Sequence, residues 1–250
     1  MDLDLLHLPD RFPLSSVYDP AWVAKLNMGP HPLWQLEDLL PELGLTAGQH
    51  VLDLGPGLGA ASVFLARECG VTVDAFDSWV SAEEMSATFE ECGVADRVTP
   101  VHGDIRTAEL PPERYDAIVS VDAWEYFGTD TYFLRHLLPA LKAGGHLGFS
   151  TPALREDPYA VEVLPLMKKL VGRDVASWHP AEWWRWHTEL TGGMVNVKAR
   201  VPADSLELWL RWEEATKDGD DEFIEMLRTL LDDEGDEPAL GIVLVTASKA

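Results

Sequence analysis

The residues of this chain whose types and spacing can do chemistry are a run of glycines and the acids around it. Val51-Leu52-Asp53-Leu54-Gly55-Pro56-Gly57-Leu58-Gly59 follows an apolar strand pattern and opens a helical one, the context in which a glycine loop holds a nucleotide-type ligand. Glycine lets the chain turn sharply and brings bare backbone up to a ligand. The unpaired N–H groups of the helix start favour an anionic group. Asp53 stands just before the turn, placed to orient an ammonium group directly or through water. Asp77 ends the next strand, where it can accept from ribose hydroxyls, and Ser78 and Trp79 follow it. Gly103-Asp104-Ile105 ends the third strand and offers an acceptor for an adenine amino group beside an apolar wall. Gly55-x-Gly57-x-x-Ala60 also satisfies the looser dinucleotide fingerprint, so glycine spacing alone leaves a nicotinamide cofactor open. The acid inside the strand end and the two further strand-end acids point instead to an adenosyl methyl donor, its methionine carboxylate at the helix start.

The elements that must position these groups alternate regularly. His50–Leu54, Val71–Phe76, Val98–His102, Asp116–Val121 and His146–Thr151 read as strands. Between them lie helical patterns at Ala60–Glu68, closed by Gly70, and after Ser81, where Glu84 completes a capping box and Gly93 ends the helix. A further helix is expected over Thr131–Lys142. Such alternation implies a parallel sheet with right-handed crossovers. Before it, residues 1–50 hold a Pro-punctuated lead-in and one amphipathic stretch from Leu33 to Leu40, which Pro41 should stop. After Thr151, residues 152–178 read as irregular. A Trp-rich helix is expected at Pro180–Leu190, and final strands within 194–202 and 240–248. Between those strands lies an acidic helical pair broken at Gly219.

Ligands of parallel sheets bind beyond the carboxyl ends of the strands, where strand order reverses. That places the glycine loop beside Ser120-Val121-Asp122-Ala123-Trp124-Glu125-Tyr126-Phe127-Gly128. Val121 and Asp122 are then cofactor neighbours, and Asp122 and Tyr126 are the titratable groups nearest the transferred methyl. Trp124 is a candidate for a cation–π contact with a sulfonium. His31 in the lead-in is the further candidate base, ahead of His179 and His187 around the Trp-rich helix.

Across residues 45–151 the chain resembles the class I S-adenosylmethionine-dependent methyltransferases. Asp53, Gly55, Gly57 and Gly59 match that family's first motif, Asp77 its second-strand acid, and Asp104 and Ile105 its adenine-binding position. Asp116–Asp122 resembles the fourth motif, and Leu141-Lys142-Ala143-Gly144-Gly145 the turn before the fifth strand. The resemblance implies a doubly wound α/β fold: a seven-stranded Rossmann-like sheet whose antiparallel seventh strand lies between the fifth and sixth. It also implies S-adenosyl-L-methionine as cofactor and a lead-in folded over it. Related small-molecule enzymes often carry His where Tyr126 falls. A tyrosine there can position a nucleophile but is a poor base, its reference pKa being about 10. The expected organisation is one domain over 1–250. Residues 1–40 form an N-terminal cap, 45–151 the cofactor-binding core, and 152–178 and 204–237 cap insertions.

Composition narrows the acceptor. Nineteen Lys and Arg against forty-three Asp and Glu give a net charge of −24, a surface that repels phosphate backbones and disfavours nucleic acid as substrate. No run of eighteen apolar residues argues for a membrane span, and the acidic N-terminus does not read as a secretory signal, so a cytoplasmic protein is expected. Cys69 and Cys92 each precede a glycine at a helix end and read as small apolar residues rather than a disulfide or metal pair. They also lack the thiolate set that arsenite methylation needs. The reading is methyl transfer to an O or N, possibly C, nucleophile of a small molecule. The rivals are a nicotinamide-dependent oxidoreductase on the same loop and a non-catalytic cofactor-binding protein. Neither the acceptor nor the oligomeric state is legible.

Overall fold

Short apolar runs spaced by helix-length segments satisfy their backbone best side by side, with helices over both faces. The computed structural model, which describes residues 2–26, 28–156, 165–190, 192–217, 221–232 and 239–250, has this form. The lead-in makes two 3₁₀ turns, Leu3–Leu6 and Ser15–Val17, then helices α1 (Pro20–Leu26) and α2 (Pro32–Leu43). There follow β1 (His50–Leu54), α3 (Ala60–Glu68), β2 (Thr72–Asp77), α4 (Ala82–Glu91), β3 (Val98–His102) and β4 (Tyr115–Val121). After α5 (Phe133–Leu137) come β5 (Leu141–Leu154), α6 (Pro165–Val171) and α7 (Ala181–Leu190). The chain ends with β6 (Met194–Arg200), α8 (Ser205–Thr216), α9 (Glu222–Asp232) and β7 (Leu240–Lys249).

The strands form one sheet in the order β3-β2-β1-β4-β5-β7-β6. β1 to β5 are parallel, and β7 runs antiparallel between β5 and β6, as the resemblance implied. Strand order reverses between β1 and β4, which opens the ligand crevice at their carboxyl ends. The two-residue period of β1 sorts its side chains: Leu52 and Leu54 join the core with Phe149 and Trp184, while Val51 joins the other with Leu33, Leu36 and Phe64. Asp53 falls on the Val51 face, under α3. Ser81 starts α4 with the expected capping box, its Oγ accepting from Glu84 N at 3.2 Å while Glu84 accepts from Ser81 N at 3.0 Å.

Four expectations change. Pro41 lies inside α2, which runs on to Leu43 and is ended by Gly44 at φ 55°; proline already has a helical φ, so the left-handed residue sets the end. The helix expected over Thr131–Lys142 is only Phe133–Leu137 followed by a 3₁₀ turn at Leu138–Ala140, because Pro139 sits in that turn. Leu141 already pairs with Tyr115, whereas the next pair is His146 with Ala117, so Lys142–Gly145 bulges with Gly144 at φ 70°. The described parts of 152–178 are not irregular: β5 runs on to Leu154, and α6 and a 3₁₀ run at Gly172–Ser177 bury Met167 and Val175. Cys69 and Cys92 are unpaired and half-buried at helix ends, where burial raises both thiols. Gly219 and residues 157–164 and 233–237 of the expected cap lie outside the described residues.

Candidate functional site

A cavity of about 340 Å³ opens at the carboxyl ends of β1, β2 and β4. The three loop glycines are required for three different reasons. Gly55, at φ 71°, has no room for a side chain, because a Cβ would lie 2.5 Å from Ala123 Cβ beyond β4. Gly57, at φ 57°, faces the cavity, where a Cβ would meet only Met28 Sδ at 3.6 Å; its N–H donates to Asp77 Oδ2 at 2.9 Å. Gly59, at φ 95°, does not line the cavity. A Cβ there would strike Phe89 Cε1 at 2.4 Å, so this glycine packs α3 onto α4 rather than facing the cavity as expected. Gly59 gives α3 no side-chain cap, which leaves the first helical N–H groups, beside Ala60 and Ala61 of the cavity wall, for a ligand.

Asp53 is fully buried on the cavity wall. Its Oδ2 accepts from Ser62 Oγ at 2.6 Å, whereas Oδ1 has no partner. Burial pushes this carboxyl up to about 7, against the Ser62 hydrogen bond, and neighbouring Asp77 adds to the rise. An orphaned buried acceptor is costly unless something cationic meets it. Asp77 lies beside it. Its Oδ1 accepts from Trp79 N at 2.6 Å and Val80 N at 2.8 Å, so with Gly57 it ties the two loops together. A carboxylate offers about four acceptor positions, which leaves Asp77 one more.

Ser78, Trp79, Gly103, Asp104, Ile105 and Val121 also line the cavity. Asp104 is not a free clamp: Arg106 Nε reaches its Oδ1 at 2.9 Å and Arg106 Nη2 its Oδ2 at 2.7 Å, which holds the carboxyl below the usual range. Gly103 is packed on Phe76, 3.2 Å from the position of a Cβ.

Beyond β4, Asp122 adopts φ 53°, a left-handed conformation that suits few side chains. Its N–H donates to Ser150 O at 3.0 Å, and its Oδ1 is buried without a partner. Burial raises this carboxyl well above the ordinary value, and the negative charges of Glu125 and Glu213 add to the effect. Tyr126 lines the cavity, 47% exposed, its ring centroid 4.9 Å from that of Trp79, itself 65% exposed. Burial and the acids nearby raise the Tyr126 hydroxyl, so it stays protonated.

Two expected participants are elsewhere. His31 caps α2, its Nδ1 accepting from Trp34 N at 3.2 Å while its ring stacks on Trp34 at 4.1 Å. It is buried off the cavity wall, and burial pushes it down to about 3, so it is no base for this cavity. Trp124 is a core residue stacked on Phe149 at 4.5 Å, too deep to face a ligand. His187 bonds Gly128 O, and His179 stacks on Trp183. The lead-in does close one side, through Leu26, Met28, Gly29 and Pro32. No described residue of 152–178 or 204–237 lines the cavity. Sequence reasoning missed Glu125, buried with its Oε2 accepting from Thr151 Oγ1 at 2.8 Å, and Arg106 on the wall. The only signal for Glu125 was its place three residues after Asp122.

The cavity's donor and acceptor set fits an adenosyl amino acid. It has an open glycine cradle and helix N–H groups for a carboxylate, an unpaired buried acid for an ammonium, a free acceptor position on Asp77 for a sugar, and the apolar Ile105 for a base. A family model described as a methyltransferase domain matches residues 51–145. The sarcosine/dimethylglycine N-methyltransferase of Aphanothece halophytica is 30% identical over 107 residues, 42% of this chain and 39% of that protein. The demethylmenaquinone methyltransferase of Tropheryma whipplei is 32% identical over 145 residues, 54% and 58% of the two chains. This chain therefore spans roughly two to three fifths of the length of these curated relatives. Among solved structures, a Haemonchus contortus phosphoethanolamine N-methyltransferase in complex with S-adenosyl-L-methionine shares the fold. It has a TM-score of 0.74 and 17% identity, covering 96% of this chain and 59% of that one. Sheet order, glycine loop and the domain match over residues 51–145 support a class I S-adenosylmethionine-dependent methyltransferase.

Proposed function

We propose that this protein transfers a methyl group from S-adenosylmethionine to an oxygen, nitrogen or carbon nucleophile of a small molecule. When bound, the cofactor supplies a methyl group already activated on a sulfonium. The protein's own work is to hold, align and keep water out. Gly55, Gly57 and the start of α3 would receive the methionine carboxylate, and Asp53 its ammonium. Asp77, with Ser78 and Trp79, would take the ribose. Gly103, Asp104 and Ile105 would take the adenine, and Val121 walls the site beside Asp122. Asp122 and Tyr126 stand on the acceptor side. Tyr126, protonated, donates a hydrogen bond rather than removing a proton.

The observation that carries this reading is Asp53, a fully buried acid on the cavity wall with one oxygen unpaired. The lead-in over 1–40 acts as the cap, reaching the cavity through Leu26, Met28, Gly29 and Pro32. A small acceptor suits the size of the cavity and the charge of −24. No described helix is long and apolar enough to cross a membrane, and the unpaired cysteines suit a reducing cytoplasm. The test is calorimetric titration of the protein and its Asp53→Ala variant with S-adenosylhomocysteine and NADH. Wild type should bind the first and not the second, and the variant should lose about tenfold or more. Binding of NADH alone would end the proposal.

A further inference from the structure

The acceptor side of the cavity carries two carboxyl groups, Asp122 and Glu125, that no described cation pairs with. Asp122 faces the cavity with a buried, unpartnered Oδ1. Behind it Glu125 is buried, its Oε2 accepting from Thr151 Oγ1. Neither makes an ion pair with a described residue. Glu213, from α8, adds its field to Asp122, and Asp174 adds its field to Glu125. Of these, Glu213 is tied to Trp209 Nε1 at 3.1 Å and Lys217 Nζ at 2.8 Å. Arg106, the one cation among the described residues of the wall, is already forked onto Asp104 at the opposite, β3 side.

A second feature points the same way. Trp79 and Tyr126 present two exposed rings at the same cavity, 4.9 Å apart and tilted by 57°. Tilted aromatic faces beside an acid favour an alkylated ammonium, which needs few hydrogen bonds and is held by ring quadrupoles. A metal ion is a poor rival, because no group of three His, Cys, Asp or Glu among the described residues is arranged to hold one. The overall charge of −24 would draw cations toward the opening.

We infer that the methyl acceptor is a cationic amine, seated with its nitrogen between Asp122 and the Tyr126 ring. This rests on the proposed methyl transfer, in which such an acceptor makes the reaction N-methylation: the ammonium would give one proton to the Asp122 carboxylate, and the freed nitrogen lone pair would form the N–CH3 bond as the S–CH3 bond breaks, leaving S-adenosylhomocysteine. The probes are choline, its neutral isostere 3,3-dimethylbutan-1-ol and the anionic 3,3-dimethylbutanoate. They are titrated into protein saturated with S-adenosylhomocysteine and, separately, into ligand-free protein. Choline should bind at least about tenfold more tightly than the alcohol, and the carboxylate should bind least. Asp122→Asn, which keeps the side-chain shape and tolerates the left-handed backbone, should erase that preference. Tyr126→Leu should weaken choline about threefold to tenfold more than the alcohol. Equal binding of choline and alcohol, no choline binding at millimolar concentration, or a preference that survives Asp122→Asn would each overturn the inference. Loss of S-adenosylhomocysteine binding with the choline preference intact in the ligand-free protein would instead break the cofactor reading and leave the cation site standing.

Discussion

Gly57 and Gly59 look equivalent in the sequence, yet the structure gives them different work, and alanine at each should separate ligand binding from stability. Both have positive φ, 57° and 95°, so each alanine carries a backbone cost of roughly 1–2 kcal/mol. At Gly57 that is nearly all, since the nearest atom to the new Cβ is Met28 Sδ at 3.6 Å, ordinary contact. The methyl group instead points into the space a ligand needs. At Gly59 the Cβ would sit 2.4 Å from Phe89 Cε1 and 2.8 Å from Cζ. Overpacking of that kind adds roughly 1–3 kcal/mol, for a total of roughly 2–5 kcal/mol. With about 2–4 °C per kcal/mol for a chain of this size, Gly57→Ala should melt roughly 2–8 °C lower and Gly59→Ala roughly 4–20 °C lower. Calorimetry at a temperature where both are folded should show S-adenosylhomocysteine affinity falling about tenfold or more in Gly57→Ala and within about threefold of wild type in Gly59→Ala. The opposite pattern, with Gly57→Ala binding normally and Gly59→Ala failing while folded, would refute the assignment.

Asp53 makes pH the next lever. Its carboxyl is near 7 in the folded chain against 3.8 ordinarily, so the folded state holds a proton the unfolded state releases. Its contribution to stability is present below about pH 4 and is lost as pH rises toward 7, on the order of 4 kcal/mol over the window. Asp53→Asn should flatten that part of a denaturant-derived stability profile. A ligand ammonium favours the ionised form, so binding of S-adenosylhomocysteine near pH 6 should release a proton, read as a buffer-dependent enthalpy that Asp53→Asn abolishes. His31→Asn should retain the cap of α2 and leave both cofactor affinity and the pH–rate profile unchanged; a lost basic limb would restore His31 as a base. Trp124→Ala should cost roughly 3–5 kcal/mol in chemical denaturation. Tyr126→Phe should keep the fold and cofactor affinity, with the shape of the pH–rate profile unaltered.

The core of the fold was legible because it rests on local signals. β1 and α3 are apolar runs bounded by glycines, and the Ser81–Glu84 capping box is a pairing within one turn. The acids at the strand ends could be found because strand ends define the crevice. What failed depended on tertiary surroundings. His31 read as a candidate base, but α2 and Trp34 bury it. Trp124 is one residue from cavity-lining Ala123, but the 3₁₀ turn at Trp124–Tyr126 sends it inward and Tyr126 outward. Glu125 had no periodic signature, and its meaning comes from burial beside Asp122. Pro41 misled because a proline inside a helix is a stop only when its neighbours allow one.

Crystals grown with S-adenosylhomocysteine test the central claim most directly. The ligand should fill the space between Gly57 and Ile105, its ammonium meeting Asp53 Oδ1 directly or through one water, its sugar at Asp77. A filled cavity in which Asp53 Oδ1 stays unpaired, or crystals that exclude this compound and admit NADH, would contradict the account.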